Sequence, residues 1–303
     1  MIKTYPGLIR KLTDERTAGY VFILPFIIGF IGFISFPMLM SLVFSFTKYN
    51  ILTSPSFNGI RNYLDMFFHD KLFWKTFGVT MYYVVFSVPL RLLMALLVAM
   101  LLVRPSKLSG LYRAVFYLPS IIGSSVAVAL LWKRLFASNG ILNALLGLVG
   151  LGNKIPWLGR VDTAIWTLIL LAVWQFGSSM LIFLAGLKQI PVYLYEAATV
   201  DGVNGWDKFF KITLPMLTST IFFNLINQLI NGFMAFTQSF IITEGKPLNS
   251  TLFYVVYMYQ NSFKFNKLGY GCAMAWFMVI VVGTITGLIF LTQKKWVYYE
   301  SEK

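Results

Sequence analysis

A chain of 303 residues that is 58% hydrophobic and 17% aromatic, with a mean hydropathy of +0.73, is too apolar for a water-soluble fold and must be solvated mainly by lipid. The formal net charge of +14 does not point to nucleic acid, because Lys and Arg are scattered through short polar intervals without forming a basic face; membrane topology accounts for them. The single cysteine, Cys272, lies in an apolar run, which excludes an intrachain disulfide and a thiolate metal cluster built by this chain alone.

In chain order, residues 1–17 are too polar for a secretory signal and carry Lys3, Arg10, Lys11 and Arg16, a cluster that predicts a cytoplasmic N-terminus. The first apolar run, Ala18–Phe46, reads as a retained membrane span with Pro25 and Pro37 as kink points. Lys48–Trp74 is polar and turn-rich, an external loop. A second span is expected over Lys75–Val103 and a third over Leu111–Phe136, with Arg104, Lys107 and Arg113 on the cytoplasmic side between them. An external stretch with Gly140, Asn143, Lys154, Pro156 and Trp157 follows, its latter part suited to a short interfacial helix. The fourth span is read as Asp162–Leu187, the fifth as Leu214–Thr243 and the sixth as Leu268–Leu291, closed by Lys294 and Lys295. The expectation is one all-α transmembrane domain over 1–303: six spans, both termini cytoplasmic, a cytoplasmic loop at 189–213 between spans 4 and 5, and a cytoplasmic tail at 292–303.

The 189–213 loop carries its own helix punctuation. Pro191 suits a helix start and Gly202 the left-handed residue that closes one, predicting a helix of about three turns. Asn204 or Gly205 then caps a second helix, with Trp206, Phe209, Phe210 and Thr213 at i, i+3, i+4 and i+7, before Pro215 turns the chain into the next span. The string Glu196-Ala197-Ala198, three residues, Gly202, nine residues, Ile212-x-Leu214-Pro215 resembles the signature loop of the membrane subunits of binding-protein-dependent ABC importers. In that family the loop is a coupling helix seated in a cleft of a cytoplasmic ATPase. The resemblance implies that Ala197 and Ala198 allow close approach, that Glu196 and Asp201 offer charged acceptors, and that Gly202 makes the sharp exit.

Further stretches are similar to the carbohydrate branch of the family, the maltose and multiple-sugar type of permease: Leu24-Pro25, Ser45 to Asn50, Gly59 with Asn62-Tyr63, Tyr117-Leu118-Pro119, Leu131-Trp132-Lys133, Gly140 to Asn143, and Trp157-Leu158. The resemblance implies a multi-pass protein of the prokaryotic plasma membrane. Its partners would be a second permease in a heterodimer, two copies of a cytoplasmic ATPase and an extracytoplasmic sugar-binding protein. ATP and Mg would sit in the ATPase, so this chain itself would bind no cofactor and would not be an enzyme.

The residues inside the spans bear on the same question. All eleven carboxylates, Asp14, Glu15, Asp65, Asp70, Asp162, Glu196, Asp201, Asp207, Glu244, Glu300 and Glu302, fall in loops or at span ends, and His69 is in the first external loop. Proton-coupled carriers generally need a titratable group at membrane depth, so a secondary carrier or channel for a small polar solute is the weaker alternative. There is no Gly-x4-Gly-Lys-Ser/Thr phosphate loop and no carboxylate, His and Cys constellation of a membrane enzyme. On the fifth span Asn224, Asn227, Gln228 and Asn231 recur at i, i+3, i+4 and i+7, with Gln238 two turns further on. Such a face must meet water, substrate or another helix: it either lines a sugar path, since carboxamides both donate and accept, or glues the permease interface. On the fourth span Thr167, Gln175 and Ser178 share a face flanked by Trp174, either a platform for a pyranose ring or ordinary packing with hydroxyl back-bonding. Arg91, past the middle of the second span, has three readings: it snorkels to the interface, pairs with a carboxylate of the partner permease, or faces the pathway and an anionic substrate.

Overall fold

The computed structural model describes residues 15–104, 106–150 and 155–298. Lys3, Arg10, Lys11, Asp14, Lys154, Glu300 and Glu302 lie outside the described residues, as does most of the 1–17 segment. Two compact units divide the chain: residues to Met66 with Asn261–Phe277, and Phe67–Gln260 with Met278 onward.

In the first unit, α1 (Glu15–Phe30) runs through a π-helical turn, Ile31–Ser35, into α2 (Phe36–Ser45). Pro37 lacks the N–H that would bond back one turn, and the helix widens just before it; Pro25 sits inside α1 without ending it. This stretch is apolar and mostly exposed, its most apolar window 0% buried, and only its end at Ser45 is enclosed. The loop after it contains strands, which corrects the all-α expectation. β1 (Thr47–Asn50) and β2 (Thr53–Phe57) pair antiparallel, turned by Asn50, whose Oδ1 accepts from the backbone N–H groups of Leu52 and Thr53 at 3.0 and 2.8 Å. Asn62 Nδ2 ties this hairpin to the end of α2 by donating to the carbonyls of Ser45 and Thr47 at 2.7 and 2.9 Å.

The second unit is built around α3 (Lys71–Leu102). It starts four residues before the expected Lys75 because Asp70 caps it, Oδ1 accepting from Leu72 and Phe73 N–H at 2.9 and 3.0 Å. The expected third span is two helices, α4 (Ser109–Ile122) and α5 (Val126–Leu135), bent by 98°. The reason is local: Gly123 and Ser124 interrupt the ladder after Pro119, and Ser125 caps the new helix through Val128 N–H at 3.3 Å. A short helix, α6 (Ile141–Leu148), lies earlier than the interfacial helix expected in the latter part of this stretch, while Asn143 holds the following turn by donating to the Ile155 carbonyl and accepting from Trp157 Nε1. The expected fourth span is likewise two helices, α7 (Val161–Trp174) and α8 (Gly177–Gln189), bent by 43°.

Next come α9 (Val192–Val200) and α10 (Gly205–Lys208), then a π turn (Phe209–Thr213), a short turn (Leu214–Met216) and α11 (Thr218–Phe233). Another π turn, Gln238–Thr243, and α12 (Tyr254–Tyr259) precede α13 (Leu268–Trp296), which begins in the first unit and ends in the second. Four helical stretches among the described residues are long and apolar enough to cross a membrane, or up to six if each bent pair counts as one span.

The core of the second unit forms where α8 lies on α3. Ala95 and Ala99, one turn apart and wholly buried, let the helices approach, and Phe176, Met180, Phe183, Leu184 and Leu187 fill the seam. A Cβ on Gly177 would overlap the Phe116 carbonyl, so α8 rests directly on the backbone of α4. Further along α3, Tyr83 meets Phe253 at 4.5 Å between ring centroids, and Thr80 Oγ1 accepts from Tyr254 N–H at 2.8 Å.

Candidate functional site

The break between α4 and α5 and the break between α7 and α8 meet at one knot. Gln175, the C-terminal cap of α7, leaves its carbonyl without a helical partner; Arg91 Nη2 donates to it at 2.5 Å and Ser120 Oγ at 2.9 Å. A guanidinium at a helix C-terminus also complements the helix dipole. Ser120 Oγ in turn accepts from Ser178 N–H at the start of α8, and Gln175 Nε2 donates to the Gly123 carbonyl at the break after α4, both at 2.9 Å.

The knot forms one wall of a cavity of about 360 Å³. One face of α3 contributes Tyr83, Ser87 and Arg91, spaced by single turns; the broken helices contribute Ser120, Ser124, Gln175 and Ser178; the C-terminal end of α11 and the segment after it contribute Gln228, Asn231, Phe236, Thr237 and Gln238. Its volume falls in the range of small-molecule sites, and its polar groups both donate and accept, as sugar hydroxyls require.

Six residues of the expected polar faces therefore come together: Arg91, Gln175, Ser178, Gln228, Asn231 and Gln238. Four do not line the cavity. Asn224 is wholly buried with neither amide atom hydrogen-bonded. Gly186 of α8 packs against Thr220, and Gln228 Nε2 donates to Ser179 Oγ of α8 at 2.9 Å, so Asn224, midway along the same face of α11, is shut between the two helices. Asn227 donates to its own helix, at the Phe223 carbonyl. Trp174 packs on Trp132 at 5.8 Å, and Thr167 Oγ1 donates to the Ala164 carbonyl one turn back. Tyr83 and Phe236 provide the aromatic walls instead. Sequence reasoning passed over Tyr83, Ser120, Ser124 and Thr237; the signal for two of them was Pro119-Ser120 and Gly123-Ser124, punctuation that interrupts a span and frees backbone groups beside a cavity.

The second polar region is the α9–α10 hairpin. α9 ends in a Schellman closure: Gly202 stands at φ +69° and donates to the Thr199 carbonyl at 3.1 Å, while Val203 N–H reaches the Ala198 carbonyl at 2.9 Å. Pro191 is the N-terminal cap, one residue before the first turn where it was expected. Asn204 Oδ1 caps α10 through Asp207 N–H at 2.8 Å, and Tyr195 and Thr213 hydroxyls bond at 2.9 Å across the hairpin. Glu196, Ala197, Asp201 and Gly202 are exposed, with Trp206 and Phe210 stacked beside them in the open. Ala198 is buried in the hairpin, so its small size serves packing within the chain and only Ala197 is presented outward. Ile212 and Tyr195 pack onto the α3–α8 core, and Pro215 is half-buried.

No group of three or more His, Cys, Asp or Glu among the described residues is placed to hold a metal. Outside the spans, Glu244 is held below the usual carboxylate range, first by its hydrogen bond from Lys133 at 2.9 Å, then by the charges of Lys133 and Lys246.

The fold is similar to a chain of a crystal structure described as a bacterial ABC transporter involved in the import of the acidic polysaccharide alginate, with a TM-score of 0.79 and 21% identity over 96% of this chain and 99% of that one. In sequence the chain is 51% identical to the probable ABC transporter permease protein YesP of Bacillus subtilis (strain 168), covering 97% of this chain and 96% of that protein. It is 32% identical to the lactose transport system permease protein LacF of Rhizobium radiobacter, over 97% and 99%. The family model described as the binding-protein-dependent transport system inner membrane component matches residues 68–295, which takes in the whole second polar region and every wall of the cavity; the chain belongs to that family.

Proposed function

We propose that the chain is the six-span membrane subunit of an ATP-driven sugar importer, both termini cytoplasmic, forming the path with a second permease and driven by two copies of an ATPase in which ATP and Mg reside. An extracytoplasmic binding protein delivers the sugar. The observation that carries this reading is the α9–α10 hairpin, which presents Glu196, Ala197 and Asp201 to a partner while Ile212 and Tyr195 anchor it in the α3–α8 core. A push on such a hairpin is passed to the helices as a rigid body, the requirement for alternating access. The broken third and fourth spans are counted as one crossing each, and the cavity at their breaks is the sugar path. The lactose permease among the relatives supports a carbohydrate cargo.

The test is reconstitution of the complete complex in proteoliposomes. Glu196→Lys reverses the charge on an exposed side chain, so the complex should insert and assemble normally while stimulation of ATP hydrolysis by the sugar-loaded binding protein falls by about tenfold, the equivalent of ~1.4 kcal/mol of lost coupling. Wild-type stimulation and uptake would overturn the assignment of the hairpin.

A further inference from the structure

The cavity is walled by hydroxyls, carboxamides and two aromatic rings, and by one side chain with a full charge, Arg91; no Asp, Glu, Lys or His lines it. A guanidinium stays protonated in any protein environment, and placing one unpaired at membrane depth costs about 2.5–3.5 kcal/mol on insertion scales. Among the described residues Lys133, Arg160, Lys211 and Lys246 each make an ion pair, whereas Arg91 has no acidic partner there. Its bond to the Gln175 carbonyl orients the guanidinium without neutralising it, and its Nε is enclosed with no hydrogen-bond acceptor. Holding the break between α7 and α8 does not by itself call for a charge, since Ser120 Oγ already donates to the same carbonyl at 2.9 Å.

We propose that the cavity takes sugars bearing a carboxylate, that is, uronates, with the carboxylate on Arg91 and the sugar hydroxyls on groups such as Asn231, Gln238 and Ser178. A carboxylate balances the single positive charge and fits the planar fork of a guanidinium with two parallel hydrogen bonds. A phosphate ester, at about −1.5 to −2, leaves excess negative charge with no second cation in the wall. The proposal rests on the reading of the cavity as the sugar path.

The test is equilibrium binding to the detergent-purified complex without the binding protein, so that the cavity alone selects, using digalacturonate, its neutral carboxyl-reduced counterpart and glucose 6-phosphate. The wild type should bind digalacturonate about tenfold or more tighter than the neutral sugar. Arg91→Gln should remove that preference, and Arg91→Lys, which keeps the charge without the fork, should retain part of it. Should the Arg91 variants fail to assemble, Ser87→Asp decides: one turn away on the same wall, it supplies an internal carboxylate that pairs with Arg91 and should abolish the preference with the knot intact. Equal binding of both digalactosides, undetectable binding of digalacturonate, a preference that survives Arg91→Gln or Ser87→Asp, or tighter binding of the sugar phosphate would each overturn the proposal. Asn231→Leu and Gln238→Leu separate the two levels of failure. If they weaken binding while no charge preference exists, only the role of Arg91 falls; if they leave both sugars unaffected, the cavity is not the path.

Discussion

The α9–α10 hairpin and the cavity both interrupt an apolar chain with polar groups, yet they are held by contacts of different reach. The hairpin closes on itself: its Schellman bonds span three and five residues, and its longest tie, Tyr195 to Thr213, spans 18. The knot beside the cavity joins Arg91 to Gln175 across 84 residues, Ser120 to Ser178 across 58 and Gln175 to Gly123 across 52. A local motif forms wherever its own residues are, and can be moved as a piece. A knot of distant segments exists only when α3, α4, α7 and α8 are already packed, so its geometry changes whenever they shift, as the proposed path requires.

The largest test of that contrast is Gly177→Val. The added side chain has the Phe116 carbonyl and Tyr117 Cα in its way, and these are backbone atoms that cannot rotate aside. A loss of about 3 kcal/mol is expected, read as a lower thermal midpoint of the purified complex in detergent, with the cavity's sugar binding lost as α8 lifts from α4. An unchanged midpoint would show that α8 does not rest on α4 there.

Gly202→Ala probes the other side of the comparison. A Cβ at Gly202 meets nothing within 4 Å, so the cost is the left-handed backbone alone, about 1–2 kcal/mol. That cost should stay in the hairpin: the thermal midpoint is expected to hold nearly constant while ATPase stimulation drops. A fall in the midpoint matching that of Gly177→Val would mean that the hairpin and the helices fold as one unit.

The smallest effect tests whether reach alone confers strength. Lys133 and Glu244 are 111 residues apart, like the partners in the knot, but their side chains are 42% and 54% exposed, so water screens the pair and its worth is below ~1 kcal/mol. Because the folded carboxyl is depressed, the stabilisation is present above the unfolded carboxylate pKa and is lost as pH falls through the folded value. Midpoints of wild type and Glu244→Gln should therefore differ slightly at about pH 7 and converge as the pH is lowered through the carboxylate range, near and below ~4. A constant difference would assign the effect to packing.

Legible along the chain is whatever it carries within a few residues: the apolar runs that become α1–α2, α3 and α13, the closure of α9 at Gly202, the Asn204 cap, and the signature string, which lies inside the stretch that the family model matches. Each follows from hydrophobicity, from a residue's own φ preference or from a side chain bonding its neighbouring backbone. Tertiary structure alone decided that two apolar runs bend into half-helices meeting at Gln175, that Asn224 lies shut against α8 while Asn231, two turns on, lines a cavity, and that Arg91 reaches a helix end 84 residues away. Periodicity ranks residues by face but is blind to depth. Asn224 and Asn231 lie on one stripe of α11, and only what packs over each end of it makes the first a buried amide and the second a wall of the cavity.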